Sequence, residues 1–259
     1  MTVEDFAVDL YSTSNITQRD IEKQFGLARP ALRKICRIKN IPTRKKLAFD
    51  DTLFEQIDSK EKAYWLGFLY ADGSITFNEK RKSYKFELCL ALKDFKHLCK
   101  FKEFLKSNKK VTFREKTKAY RFTQGSKKVC LDLMALGCVP KKSLVLTFPS
   151  IEQVPKHMQH DFVRGYFDGD GCISTKPKSI GFVCTLLGTK EFLESMVTEL
   201  SLFDFLLKKD KRHLNNTWTL RFRTKGGLYF LLLMYKDSSI FLERKYNKYL
   251  MIKNCRPEE

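Results

Sequence analysis

The segment Tyr64-Trp65-Leu66-Gly67-Phe68-Leu69-Tyr70-Ala71-Asp72-Gly73-Ser74-Ile75 returns 98 positions later as Phe162-Val163-Arg164-Gly165-Tyr166-Phe167-Asp168-Gly169-Asp170-Gly171-Cys172-Ile173. An internal repeat at that spacing restricts the chain to folds built from two similar halves. Each copy begins as helix-forming sequence, reaches Asp-Gly and continues as strand. Asp58 and Glu61 read as a capping box for the first helix, and Pro155 suits the first turn of the second. After the first copy, 74–77 and 84–92 form a hairpin pattern, 94–107 a helix, 111–115 and 120–123 a second hairpin, and 126–136 a helix ended by Gly137. After the second come strands at 172–175 and 180–187, a helix at 190–202, and strands at 205–211 and 217–223. Helices at 227–236 and 241–253 follow. The fold class is therefore α+β, with two pseudo-symmetric αββαββα halves spanning 59–153 and 154–259.

Upstream lies a smaller piece, residues 1–46, joined by a linker at 47–58. Asn15–Leu27 reads as a helix and Gly turn, and Arg29–Ile38 as a second helix with Pro30 in its first turn. Ile21, Phe25, Leu27, Leu32 and Ile35 would pack the pair and leave Arg29, Arg33, Lys34 and Arg37 exposed. The pattern suggests a helix-turn-helix whose second helix enters a major groove, with a helical hairpin capping the main body as the alternative. The basic stretch 42–46 leads out of it.

Residues 1–58 carry 10 Lys/Arg against 9 Asp/Glu, whereas the whole chain has a net charge of +19. The excess thus sits on the repeat, where it builds a field that attracts polyanions, and nucleic acid is the expected partner. No apolar run approaches the roughly 20 residues of a bilayer span, so no membrane association is expected. The eight cysteines form no C-x-x-C pair and mostly fall in apolar runs. They read as small buried hydrophobes of an intracellular, reducing compartment (cytoplasm, phage-infected cell or organelle). His157 and His160 lack the neighbours of a zinc set, so any metal should be held by oxygen.

An aspartate in the last turn of a helix opposes the macrodipole, and the glycine after it is expected to cap the helix in the left-handed region. If the repeated helices pack through their small Gly67 and Gly165, Asp72 and Asp170 come together. Two such carboxylates repel unless cations intervene, and hard divalent ions, Mg²⁺ above all with Mn²⁺ as a substitute, fit both them and a phosphate substrate.

Both copies resemble the LAGLIDADG motif, and their arrangement is similar to that of a monomeric LAGLIDADG homing endonuclease over residues 60–253. Leu136–Ser143 with Phe148-Pro149, and Phe241–Lys248, resemble the segments that close the two halves. The resemblance implies a site-specific double-strand DNA endonuclease leaving short 3′ overhangs, monomeric as an internal pseudo-dimer on a long target. It implies metal ions at Asp72 and Asp170 beside Gly73 and Gly171, and supporting basic residues Lys142 and Lys245, with Lys141 and Arg244 as alternatives. Asp168 answers to the family's earlier acidic position, which Tyr70 occupies in the first copy. The four hairpins would form a curved antiparallel β saddle on DNA. Lys85, Arg114, Lys116, Arg121, Lys176, Lys178, Lys209, Lys211, Arg221 and Arg223 are its groove candidates; in 217–223, Arg221 and Arg223 share a face with Thr217 and Thr219 while Trp218, Leu220 and Phe222 point away. The scaffold also admits an intron RNA maturase, or a transcription regulator, though the latter can dispense with the two aspartates.

Overall fold

The computed structural model describes residues 2–13, 16, 18–41, 49–175, 181–210 and 216–255. The basic stretch 42–46 and the groove candidates Lys176, Lys178 and Lys211 lie outside the described residues. The chain divides into two compact units, Met1–Ala48 and Phe49–Glu259.

The smaller unit contains α1 (Val3–Thr13), α2 (Gln18–Phe25) and α3 (Arg29–Ile38). Gly26, at φ +65°, turns the chain between α2 and α3 in the region where only glycine avoids a Cβ penalty. Ala7, Val8, Ile21, Leu32 and Cys36 form its core, with Phe25, Leu27 and Ile35 packed against them. Arg29, Arg33, Lys34 and Arg37 are exposed. Helix α1 is absent from the sequence reading, although a capping box announces it. The Asp5 amide donates to Thr2 Oγ1 and the Thr2 amide to Asp5 Oδ2, both at 3.1 Å.

In the larger unit α4 (Lys60–Asp72) runs into β1 (Gly73–Asn78) and β2 (Ser83–Ala91). Then come α5 (Phe95–Phe104), β3 (Thr112–Arg114), β4 (Ala119–Gly125) and α6 (Lys127–Ala135). The second half repeats the order with α7 (Gln159–Asp170), β5 (Cys172–Thr175), β6 (Phe182–Gly188), α8 (Lys190–Glu199), β7 (Phe205–Lys209) and β8 (Trp218–Arg223). It closes with α9 (Thr224–Tyr235) and α10 (Glu243–Asn254). The strands form two antiparallel sheets of matching topology, β1-β2-β4-β3 and β5-β6-β8-β7.

Two local expectations change. The N-cap of α4 is Ser59, whose Oγ accepts from the Lys62 amide at 3.3 Å, while Asp58 pairs with the Lys62 ammonium at 2.9 Å. The shorter serine side chain reaches the orphan amide, which leaves the carboxylate free for the cation four residues on. The linker is also shorter than 47–58. Phe54 and Ile57 are buried in the main core, and the Asp50 amide donates to Leu105 O at 2.9 Å, so 49–58 belong to the larger unit.

Helices α4 and α7 form the axis of the unit. Ala63–Tyr70 and Phe162–Asp168 are buried on every side, as expected of helices enclosed by sheets and neighbours. They cross at their glycines. A Cβ on Gly67 would stand 1.9 Å from Phe162 O, and one on Gly165 1.9 Å from Tyr64 O, so each backbone rests on the other. Among the described residues no helix is long and apolar enough to cross a membrane.

Candidate active site and nucleic-acid interface

The backbone contact of α4 and α7 brings their C-terminal tips together. A Cβ on Gly169 would lie 2.3 Å from Ala71 Cβ and 3.4 Å from Asp72 Oδ2, which sets the Asp72 carboxylate against the residue preceding Asp170. Both aspartates are exposed. They nevertheless sit among many surrounding atoms, and this crowding, followed by the charge of Asp170, pushes Asp72 up to about 6. Loss of hydration likewise raises Asp170. Surface exposure governs access to the pair, and crowding governs its charge, so the two observations are compatible.

The glycines after the aspartates have extended backbones, Gly73 at φ −75° and Gly171 at φ −80°, rather than the left-handed caps expected. Glycine is required here for space. A Cβ on Gly73 would meet Leu69 O at 2.6 Å, and one on Gly171 would meet Phe167 O at 2.5 Å. Each chain therefore leaves its helix directly into a strand.

Two lysines complete the centre. Lys142 is buried and donates to Gly73 O. Lys245 is 1% exposed and donates to Phe167 O and, at 2.9 Å, to Asp168 O; burial pushes its ammonium down to about 8. Their influence crosses between the halves. Lys245 is the stronger positive influence on Asp72, and Lys142 on Asp170. Of the alternatives, Arg244 Nε donates to both oxygens of the Asp94 carboxylate at 2.9 and 3.1 Å, and Lys141 is exposed in a turn at φ +56°.

Beneath this layer lies an arrangement that sequence reasoning missed. Asp168 is fully buried and its carboxylate accepts three hydrogen bonds: from Tyr235 Oη at 2.6 Å, Tyr64 Oη at 2.8 Å and the Leu242 amide at 2.7 Å. Tyr64 Oη also meets His97 Nε2 at 2.9 Å. The donors come from α4, α9 and the residue before α10, far apart in sequence, so no local pattern marks them. In the first half Tyr70 Oη donates to Leu136 O at 2.5 Å. Gly137 accommodates that hydroxyl, which would lie 2.0 Å from a Cβ there.

The faces of the sheets turned away from the helices carry polar residues. In the first sheet Ser74, Thr76, Lys85, Glu87, Arg121, Thr123, Thr112 and Arg114 share that face by register. Lys116 lies in the turn between β3 and β4 and is exposed. In the second sheet Thr219, Arg221 and Arg223 share it with Leu206 and Lys208. Register pairs Lys209 with Trp218, on the opposite phase. Lys209 still lines the outer groove together with Asp210, and by register Lys208 shares the face of Arg221. A strand alternates sides at every residue, so the two adjacent lysines could not be separated without the pairing.

Residues 158–233 match the family model described as a LAGLIDADG-like domain. No curated protein matches the chain in sequence. Among solved structures, the fold is similar to that of the I-LtrWI LAGLIDADG homing endonuclease bound to target DNA. Identity is 13% and the TM-score 0.51 over 80% of this chain and 90% of that one. The LAGLIDADG meganuclease I-AabMI bound to uncleaved DNA aligns at 14% identity and TM-score 0.51, covering 74% and 88%. Meganuclease I-SmaMI bound to uncleaveable DNA aligns at 14% and 0.50, covering 76% and 90%. Residues 158–233 thus match a LAGLIDADG-like domain, and over 80% of its length the chain has the fold of a LAGLIDADG homing endonuclease.

Proposed function

We propose that the chain is a site-specific double-strand DNA endonuclease, acting as a single-chain pseudo-dimer with a divalent metal ion and leaving short 3′ overhangs. One observation carries this reading: each half contributes a carboxylate to the joint tip of two helices in backbone contact, with a polar, cation-bearing sheet face in each half. The three similar structures hold DNA, and we carry that partner over to this chain.

The donor set fits a hard cation. Asp72 and Asp170 offer exposed carboxylate oxygens, with the backbone of Gly73 and Gly171 beside them. Among the described residues no group of three or more His, Cys, Asp or Glu side chains could hold a metal, so water and phosphate oxygens would fill the remaining positions. Bound Mg²⁺, or Mn²⁺ in its place, supplies Lewis-acid activation for phosphodiester hydrolysis. The chain's own groups orient the substrate around it. Lys142 and Lys245, anchored on main-chain carbonyls, hold positive charge where the phosphorane develops negative charge. Lys85, Arg114, Arg121, Lys208, Arg221 and Arg223 grip phosphates and base edges. The exposed cations of α3 lengthen the footprint as a helix-turn-helix would.

Asp72→Asn and Asp170→Asn test the reading. Each is expected to lower double-strand cleavage in Mg²⁺ by at least about a hundredfold while leaving site affinity within a small factor. Cleavage of both strands at the wild-type rate by either variant overturns the assignment.

A further inference from the structure

Gly73 opens β1 and Gly171 immediately precedes the equivalent β5, so the registers of the two sheets can be laid over one another row by row. The row that starts with the residue after Gly73 runs Ser74, Glu87, Thr123. Its counterpart runs Cys172, Thr185, Arg221, Leu206. The first row therefore carries a carboxylate on its second strand, where the second sheet has Thr185, and the second row carries a guanidinium on its third strand, where the first sheet has Thr123. The next row outward sets Thr76, Lys85 and Gly125 against Ser174, Val183 and Arg223.

The surroundings sharpen the contrast. Glu87 Oε2 is approached by Lys85 Nζ at 3.3 Å, Thr123 Oγ1 at 3.5 Å and Arg121 Nη1 at 3.7 Å. Among the described residues no contact falls on Oε1. Three long contacts on one oxygen hold the carboxylate in place and leave its other oxygen able to accept. Arg221 and Arg223 have no acidic partner among the described residues and line one groove with Lys208 and Thr219. The first sheet thus offers an acceptor fixed by cations, and the second offers free donors.

Base edges distinguish the two. A carboxylate accepts from cytosine N4 or adenine N6, whereas a guanidinium forks onto guanine O6 and N7. Guanine opposite Glu87 would set acceptor against acceptor, a penalty that rejects it as effectively as a good contact selects its rival. Resting on the endonuclease reading, we propose that Glu87 and Arg221 are specificity-determining residues that break the palindrome of the target. An amino-bearing base, cytosine or adenine, faces Glu87 in the first-half row, and guanine faces Arg221 in the matching second-half row, one strand over.

The test is selection of cleaved sites from a randomised duplex library, with the full chain and Mg²⁺, for wild type, Glu87→Gln and Arg221→Gln. The wild-type profile should disfavour guanine about tenfold at one first-half position and favour it about tenfold at the related second-half position. Glu87→Gln should flatten only the first preference and Arg221→Gln only the second. The double change Glu87→Thr with Thr123→Arg copies the second-half row into the first and should shift the first-half preference to guanine. A wild-type profile with guanine at both positions, or one that neither single variant alters, overturns the inference and leaves the endonuclease reading standing. A library from which wild type selects no site removes that reading and this inference together.

Discussion

In the first half the residue two before the site aspartate is Tyr70, a neutral donor to a single carbonyl at Leu136. In the second half it is Asp168, a buried acceptor with three donors. Both fill the space between a motif helix and the segment that closes its half, and both leave the tip aspartate exposed. The pair teaches that this space must be bridged by hydrogen bonds, while either polarity can do it. The energetic commitment differs greatly. Asp168 joins α4, α7, α9 and the start of α10 at one point, whereas Tyr70 fastens one loop.

Stability measurements can break this contrast. Asp168→Ala strands three donors and should lower unfolding stability by about 3–5 kcal/mol, against about 1–2 kcal/mol for Tyr70→Phe, which frees one carbonyl. Denaturant unfolding of the two variants decides it, and equal losses would show that the halves are fastened alike. At the helix crossing the halves should instead behave identically. Gly67→Ala and Gly165→Ala each drive a methyl into a backbone carbonyl and should cost about 3 kcal/mol, equal within error.

A further effect concerns pH. His97 touches only the Asp168 side of the arrangement, through Tyr64. Burial, then the charges of Lys100 and Arg244, lower it from 6.5 to about 3. The unfolded chain therefore binds a proton that the folded chain refuses, so the contribution of His97 is intact above about pH 6.5 and shrinks as pH falls toward 3. Between pH 6.5 and 5 wild type should lose about 2 kcal/mol through this group. His97→Phe should remove that part of the slope, and an unchanged slope would exclude His97 as its source.

Much of this was legible along the chain. The repeat gave the two halves, the order of their elements along the chain and the two aspartates, whereas the pairing of β2 with β4 and of β6 with β8 came from the structure. The glycine spacing anticipated the helix contact, and the closing segments pointed to Lys142 and Lys245. What escaped lies in three dimensions. Asp168 meets Tyr64, Tyr235 and Leu242 only after folding, at separations of 104, 67 and 74 residues. The choice between Lys208 and Lys209 depends on strand phase, which composition does not fix. The conformation of Gly73 and Gly171 follows from the crowding of Leu69 and Phe167, a property of packing rather than of the Asp-Gly dipeptide.

Because α4 and α7 meet through main-chain atoms, the gap between the two carboxylates is governed by peptide geometry and hardly at all by which side chains surround it. Of the twelve paired positions in the repeat, only Gly67/Gly165, Asp72/Asp170, Gly73/Gly171 and Ile75/Ile173 are identical. Two of these pairs occupy places where a close backbone contact leaves no room for a Cβ, a third sets the tip carboxylates, and the fourth fills the core beneath. Elsewhere the two copies differ in sequence, while the spacing at the centre is held by these four.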